Sequence, residues 1–277
     1  MRRAECNGIE LEYEVSGVGE PVLLIDMLIP DCFVPLVREP ALAEGHRLIR
    51  YHKRGWIGST HTPPPVSIRD HAADAAALLE HLGVGRVHVA GHSTGASIGA
   101  QLTLDHPDKV HTLTLLEPTL VSLPLGAEFL TSAAPVFEAY ASGDHAGAFA
   151  MFVSAASGLD WETSRKLLEE RIPGVVERAI ADADTLFASE LPAVVAWTFG
   201  PQEATAIHVP VLSVLGARTQ PLWAEIAGFL SSSLPDVEEL AIDGVGHLLQ
   251  IERAEAVARG MASFLRRHSI AVHRVPA

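Results

Sequence analysis

The stretch "VHVAGHSTGASIGAQL", residues 87–102, sets Ser93 inside Gly91-His92-Ser93-Thr94-Gly95, a G-x-S-x-G pattern where β-rich residues give way to small, helix-compatible ones. A five-residue pattern recurs by chance, so its surroundings decide its meaning. A strand entering at Val87 to Ala90 and a helix leaving through Ala96, Ile98, Gly99 and Ala100 predict a sharp turn. Such a turn lifts the Ser93 hydroxyl to the C-terminal end of the strand, and the flanking glycines keep neighbouring backbone clear of it. The helix that follows favours developing negative charge at its N-terminus. A packing turn without chemistry is the plainer alternative.

A serine hydroxyl is a weak nucleophile at neutral pH; it needs a base, and the base needs a group to orient it. With 14 histidines in the chain, residue type says little and position must decide. His247, in "DGVGHLLQ", occupies a glycine-flanked loop between the last strand-like run and the final helical one. In a doubly wound sheet that loop emerges at the same edge as Ser93. His71 and His81 read as solvent-facing helix residues, His88 as part of a strand, and His106 and His111 as flanking a helix–strand junction.

The elements that must gather these residues are short and apolar: "PVLLID" (21–26), "HRLIRY" (46–51), "RVHVAG" (86–91), "VHTLTLLE" (110–117), "VPVLSVLG" (209–216) and "VEELAI" (237–242). Such runs suit parallel strands covered on both faces. "GIELEYEVSG" alternates apolar and polar residues and reads as an antiparallel edge strand. Helical periodicity lies between several of the strands, as in "SIRDHAADAAALLEHLGV", "GASIGAQLTLDHP" and "AEAVARGMASFLRRH". The alternation predicts an α/β protein with a doubly wound, mostly parallel sheet. It breaks between residues 119 and 205, where only helical patterns appear. Residues 1–118 and 206–277 are therefore expected to form the core, and 119–205 a helical cap inserted into it. The insertion holds most of the aromatic residues, and Trp197, near its return to the sheet, is the candidate for facing a hydrophobic substrate.

Composition narrows the function classes. Of 277 residues, 48% are hydrophobic and 19% charged, which favours a folded chain over a disordered one. The net charge of −14 and the scattered basic residues argue against nucleic acid or an anionic membrane as partner. Two cysteines and no apolar stretch behind Arg2 and Arg3 point to a cytoplasmic protein, and no apolar run approaches the ~20 residues that span a bilayer. There is no phosphate-binding glycine motif and no zinc-type Cys/His spacing, so chemistry without cofactor or metal is expected.

In the order of its motifs the chain resembles the α/β-hydrolase fold family over essentially its full length. The likeness rests on GHSTG, the late histidine in "GVGH", the arginine–glycine turn "KRGWIGS" and the helical insertion. It implies Ser93 as nucleophile, His247 as base, and an oxyanion hole formed by the backbone N–H of Thr94 with that of Met27 or Leu28. Two departures stand out. Asp26-Met27-Leu28 occupies the place where the family commonly has His-Gly, and Gly216-Ala217-Arg218-Thr219 ends in threonine where it usually has an aspartate. Glu117 closes an otherwise apolar strand beside the nucleophile strand, and an unpaired buried carboxylate is costly, so pairing with His247 is its expected role. Asp243, four residues before His247, is the competitor. "GHSTGAS", the Glu117-Pro118 pair and "LGARTQPLW" are similar to the branch typified by zearalenone lactonases, where a glutamate at this place is the acid. The resemblance implies a serine hydrolase acting on esters or lactones of a moderately hydrophobic small molecule. A weakly active or inactive binding protein of the same fold is the alternative.

Overall fold

The apolar runs become the centre of a sheet because both of its faces are covered. In the computed structural model, which describes residues 1–270, β1 (Arg2–Cys6), β2 (Ile9–Gly17), β3 (Glu20–Ile25), β4 (His46–Tyr51), β5 (Val87–His92), β6 (Val110–Leu116), β7 (Val211–Gly216) and β8 (Val237–Ile242) form one sheet. Its order is β1-β2-β4-β3-β5-β6-β7-β8. β2 runs antiparallel to both neighbours, and every other pairing is parallel. β5 is buried at every position and β6 at all but His111, as expected of mostly apolar strands covered on both faces. The edge differs from the expectation: Arg2–Cys6 adds a strand outside β2, so "GIELEYEVSG" lies second from the edge. That short segment, charged at three of five positions, carries too little alternation to announce a strand.

Among the described residues the long helices flanking the sheet are α1 (Ile68–His81), α2 (Thr94–Asp105), α3 (Pro221–Ser233) and α4 (Ala254–Arg267), beside the short turns Val34–Val37, Pro40–Ala43 and Leu249–Glu252. α1 starts with a capping box, Ser67 Oγ accepting from the Asp70 N–H at 3.1 Å while Asp70 accepts from the Ser67 N–H at 2.8 Å. His71, expected on a solvent-facing helix, is buried. The stripe Ile68, Ala72, Ala75, Leu78 and Leu79 explains this, because position 71 lies three residues from 68 and four from 75, on the inward face. Burial, then the charges of Lys53 and Arg54, holds the His71 imidazole well below its ordinary pKa.

Between β6 and β7 the chain makes only helices and turns: Pro124–Ser132, Ala134–Ala141, His145–Ser157, Trp161–Arg171, Val175–Ala181, a π-helical turn at Thr185–Glu190, Leu191–Ala196 and Pro201–Ala206. Polar ties at the end of one of its helices fasten the insertion to the sheet layer. Carbonyls near the end of His145–Ser157 accept from α3 and the residue before it, Ala155 from Gln220 Nε2 at 2.6 Å and Ala156 from Trp223 Nε1 at 3.3 Å. Phe149, Phe152 and Phe187 of the insertion share one apolar cluster with Met27, Leu28 and Leu248 of the core. Among the described residues no helix is long and apolar enough to cross a membrane.

Backbone packs closely where α2 crosses the end of β3. A Cβ at Gly95 would sit 2.0 Å from the Ile25 carbonyl oxygen. Gly95→Ala is expected to destabilise the fold by about 2 kcal/mol or more, measured by urea unfolding; an unchanged midpoint would mean that the contact is loose.

Candidate active site

Ser93 bridges β5 and α2 with φ 54° and ψ −119°, a conformation that side-chain-bearing residues rarely adopt. Neighbours hold it there. The Ser93 N–H donates to the Leu116 carbonyl at 2.9 Å, and the Thr119 N–H donates to the Ser93 carbonyl at 3.3 Å. Glycine is obligatory at Gly91, where a Cβ would lie 2.1 Å from the Gly95 carbonyl oxygen. Ser93 is 6% exposed, and its Oγ lies 2.9 Å from Thr119 Oγ1 in a hydroxyl–hydroxyl bond.

β6 delivers Glu117 with a second left-handed turn, φ 41°, and its N–H donates to the Val214 carbonyl of β7 at 3.2 Å. The carboxylate is met by three donors: the Gly216 N–H to Oε1 at 2.8 Å, and Thr219 Oγ1 at 3.0 Å and His247 Nδ1 at 2.6 Å to Oε2. Glu117 is 2% and His247 1% exposed, so this is the pairing that a buried carboxylate requires. The His247 loop is pinned to the turn after β7, the Ala217 N–H donating to the Ile242 carbonyl at 2.9 Å and the Arg218 N–H to the Val245 carbonyl at 2.8 Å. Asp243, the competing acid, is exposed to solvent.

With Nδ1 donating to Glu117, Nε2 of His247 carries the free lone pair. That nitrogen is buried and has no hydrogen-bond partner among the described residues. The ring is stacked on the Trp223 indole, centroids 3.9 Å apart and planes 6° apart, with the His92 ring 4.7 Å away. Burial, then the nearby His247, holds His92 well below its ordinary pKa, and its Nδ1 is bonded to Gln250 Nε2 at 2.7 Å. A neutral His92 adds no charge that would oppose a proton on His247. The structure thus joins Glu117 to His247, while the Ser93 hydroxyl is bonded to Thr119 and not to the imidazole.

Thr94 opens α2 directly after the serine, and Met27 and Leu28 follow β3, both buried. Asp26, at the place of the family's usual histidine, folds their loop by accepting from the Asp31 N–H at 2.9 Å, the Phe33 N–H at 3.2 Å and the Cys32 thiol at 3.1 Å. Burial raises the Asp26 carboxyl. Asp31 goes the other way: against the upward push of burial, hydrogen bonds and charge from His52 and Arg50 hold it below the carboxylate range. On the far side of this loop Lys53 Nζ lies 2.5 Å from Glu190 Oε2 and donates to the Met27 carbonyl at 3.1 Å, while Trp56 Nε1 donates to Glu190 Oε1 at 2.6 Å. Burial raises the Glu190 carboxyl, and Lys53 and Trp56 draw it back.

Trp197 is not at this site. Its Nε1 donates to Gln101 Oε1 at 2.9 Å and its ring packs against Phe199 at 5.3 Å. Gln101 stands eight residues beyond Ser93 on α2, about 12 Å along the helix axis, because the returning chain follows the flank of α2. Sequence reasoning gave no role to Thr119, Thr219, Trp223 or Gln250. Trp223 lies in the "LGARTQPLW" stretch, yet a tryptophan at a helix start carries no pattern that distinguishes stacking on a histidine from core packing.

A family model described as alpha/beta hydrolase fold matches residues 35–254. The chain belongs to the alpha/beta hydrolase fold family. It is 36% identical over 116 residues to RutD of Azorhizobium caulinodans, a match that covers 42% of this chain and 44% of that protein. Among solved structures it is similar to an esterase from Thermogutta terrifontis, with TM-score 0.81, 22% identity and coverage of 97% and 100% of the two chains. It is also similar to the enol-lactonase from Burkholderia xenovorans, with TM-score 0.76, 21% identity and coverage of 96% and 100%. At these identities the structural likeness shows the fold.

A short hydrogen bond to a carboxylate deshields its proton. The His247 Nδ1 proton is expected far downfield of the backbone amides in a proton NMR spectrum, absent in Glu117→Gln and retained in Thr219→Val. A wild-type spectrum without it would contradict the 2.6 Å contact.

Proposed function

We propose that this α/β hydrolase cleaves carboxylic esters or lactones of a moderately hydrophobic small molecule through an acyl-enzyme on Ser93. The observation that carries the reading is the buried Glu117–His247 bond, which leaves Nε2 as a free base beside the nucleophile turn. Substrate entry breaks the Ser93–Thr119 hydroxyl bond, and rotation of the Ser93 side chain brings its hydroxyl to His247. Nε2 takes the serine proton as Oγ attacks the carbonyl carbon. The Thr94 N–H and a donor from the Met27–Leu28 loop receive the oxyanion, each worth about 2.7–4 kcal/mol where one such donor has been removed in other enzymes. The imidazolium then protonates the departing alcohol oxygen, and a water activated by the same nitrogen hydrolyses the acyl-enzyme. With a lactone the alcohol stays tethered, so ring opening gives a single hydroxy acid.

The helical insertion serves as a cap in this reading. Phe149, Phe152 and Phe187 cluster with Met27 and Leu28 above the sheet edge and would favour an apolar acyl or alcohol group. Every group required belongs to the chain itself, so no cofactor is assigned. The likeness to an esterase and an enol-lactonase supports the bond type, while the narrower zearalenone-lactonase branch rests on the resemblance of the GHSTGAS, Glu117-Pro118 and LGARTQPLW stretches.

One observation favours a second reading, a small-molecule binding protein without turnover: the Ser93 hydroxyl is bonded to Thr119 and not to His247. Catalytic hydrogen bonds often form only with substrate present, so the hydrolase reading is preferred. Reaction with a fluorophosphonate is expected at Ser93 and abolished by Ser93→Ala. With short nitrophenyl esters, Glu117→Gln is expected to lose at least ~100-fold in kcat and Asp243→Asn to stay within about twofold. An unlabelled Ser93 without ester turnover would favour the binding protein.

A further inference from the structure

The peptide between Met27 and Leu28 is held from behind. Lys53 is 2% exposed; its ammonium makes two hydrogen bonds, to the Met27 carbonyl at 3.1 Å and to Glu190 at 2.5 Å, and lies 5.9 Å from the centre of the Trp56 ring. Glu190 is 1% exposed and belongs to the π-helical turn Thr185–Glu190 of the insertion. A buried ion pair is a poor source of net stability, because desolvation offsets the attraction, so the position of this one calls for another explanation.

A trans peptide supplies it. The Met27–Leu28 bond is trans, so its C=O and N–H point in opposite directions. Lys53 holds the C=O, which turns the Leu28 N–H away from the ion pair. That N–H has no acceptor among the described residues, whereas the Met27 N–H faces the Cys32 sulfur. The start of the same loop lies against the first turn of α2, where a Cβ on Gly95 would meet the Ile25 and Asp26 carbonyl oxygens at 2.0 and 2.6 Å. The loop that carries this N–H thus packs beside the helix that begins at the Ser93 turn.

We propose that Lys53, itself held by Glu190 of the insertion, is a positioning residue that orients the Met27–Leu28 peptide, makes the Leu28 N–H the second oxyanion donor, and thereby ties the oxyanion hole to the seating of the helical insertion. This rests on the serine-hydrolase reading above. Lys53 touches neither substrate nor the reacting atoms; it acts through the peptide that it anchors.

The test removes both charges at once. In Lys53→Met/Glu190→Leu no buried charge is left uncompensated, so folding is expected to survive, checked by circular dichroism and thermal melting. With nitrophenyl esters, kcat is expected to fall about 10- to 100-fold while KM stays within about threefold, because the oxyanion forms only after binding. The rate of fluorophosphonate labelling of Ser93, which passes through the same charge development, should fall in parallel. Trp56→Phe removes the other hydrogen bond to Glu190 and leaves the Met27 anchor; its kcat should stay within about twofold of wild type. Should the double variant not fold, Lys53→Gln/Glu190→Gln, which also leaves no buried charge and whose shorter side chain at 53 does not span to the Met27 carbonyl, is read in the same way. A folded variant with wild-type kcat, or an equal loss in Trp56→Phe, overturns the inference while leaving the hydrolase intact. Wild-type protein that neither labels nor hydrolyses sinks the hydrolase reading first and this inference with it.

Discussion

The bond between Glu117 and His247 is the contact on which the site depends. It joins the tip of a central strand to a loop 130 positions further along the chain, with both side chains out of water. A carboxylate in that position is tolerable only when its oxygens are met by donors, and the Gly216 N–H and Thr219 hydroxyl complete the set. Threonine at the family's usual acid position is therefore a change of partner. Its hydroxyl donates to Glu117, the acid in the proposed mechanism, whereas an aspartate there would set a second negative charge against Glu117.

The sheet order makes the relocation geometrically possible. β6 lies between β5, which carries the nucleophile turn, and β7, whose following turn braces the His247 loop. An acid on β6 thus reaches the histidine from the neighbouring strand end. Both Ser93 and Glu117 take positive φ to project their side chains from these ends, a strain on the order of 1–3 kcal/mol each that the surrounding backbone bonds must overcome. The insertion makes two kinds of contact with the site's surroundings. It covers the sheet edge with apolar residues, and through Glu190 and Lys53 it reaches the loop on the far side of the nucleophile.

Much of this was legible in the amino-acid sequence, and what was not has identifiable causes. The strands and the nucleophile turn are announced by local patterns: apolar runs bounded by glycine, and a glycine–serine motif at a change of period. The Glu117–His247 pairing was legible through cost, since a carboxylate ending an apolar strand demands a partner. Side-chain relations set by tertiary contact left no such trace. Trp197 has the composition of a pocket residue, yet the path of the returning chain carries it along the flank of α2. His71 is buried, and its spacing from Ile68 and Ala75 already puts it on the inner face of its helix. The Ser93–Thr119 bond and the Lys53–Glu190 pair join residues from separate elements, and no local pattern foretells them.

Moving the acid tests the central claim most directly. Thr219 Oγ1 and His247 Nδ1 both contact Glu117 Oε2, so an aspartate at position 219 would place a carboxylate near the one removed by Glu117→Gln. The measurement is ester turnover by Glu117→Gln and by Glu117→Gln/Thr219→Asp. The account predicts that the second variant recovers at least about tenfold over the first; wild-type turnover by Glu117→Gln alone would contradict it.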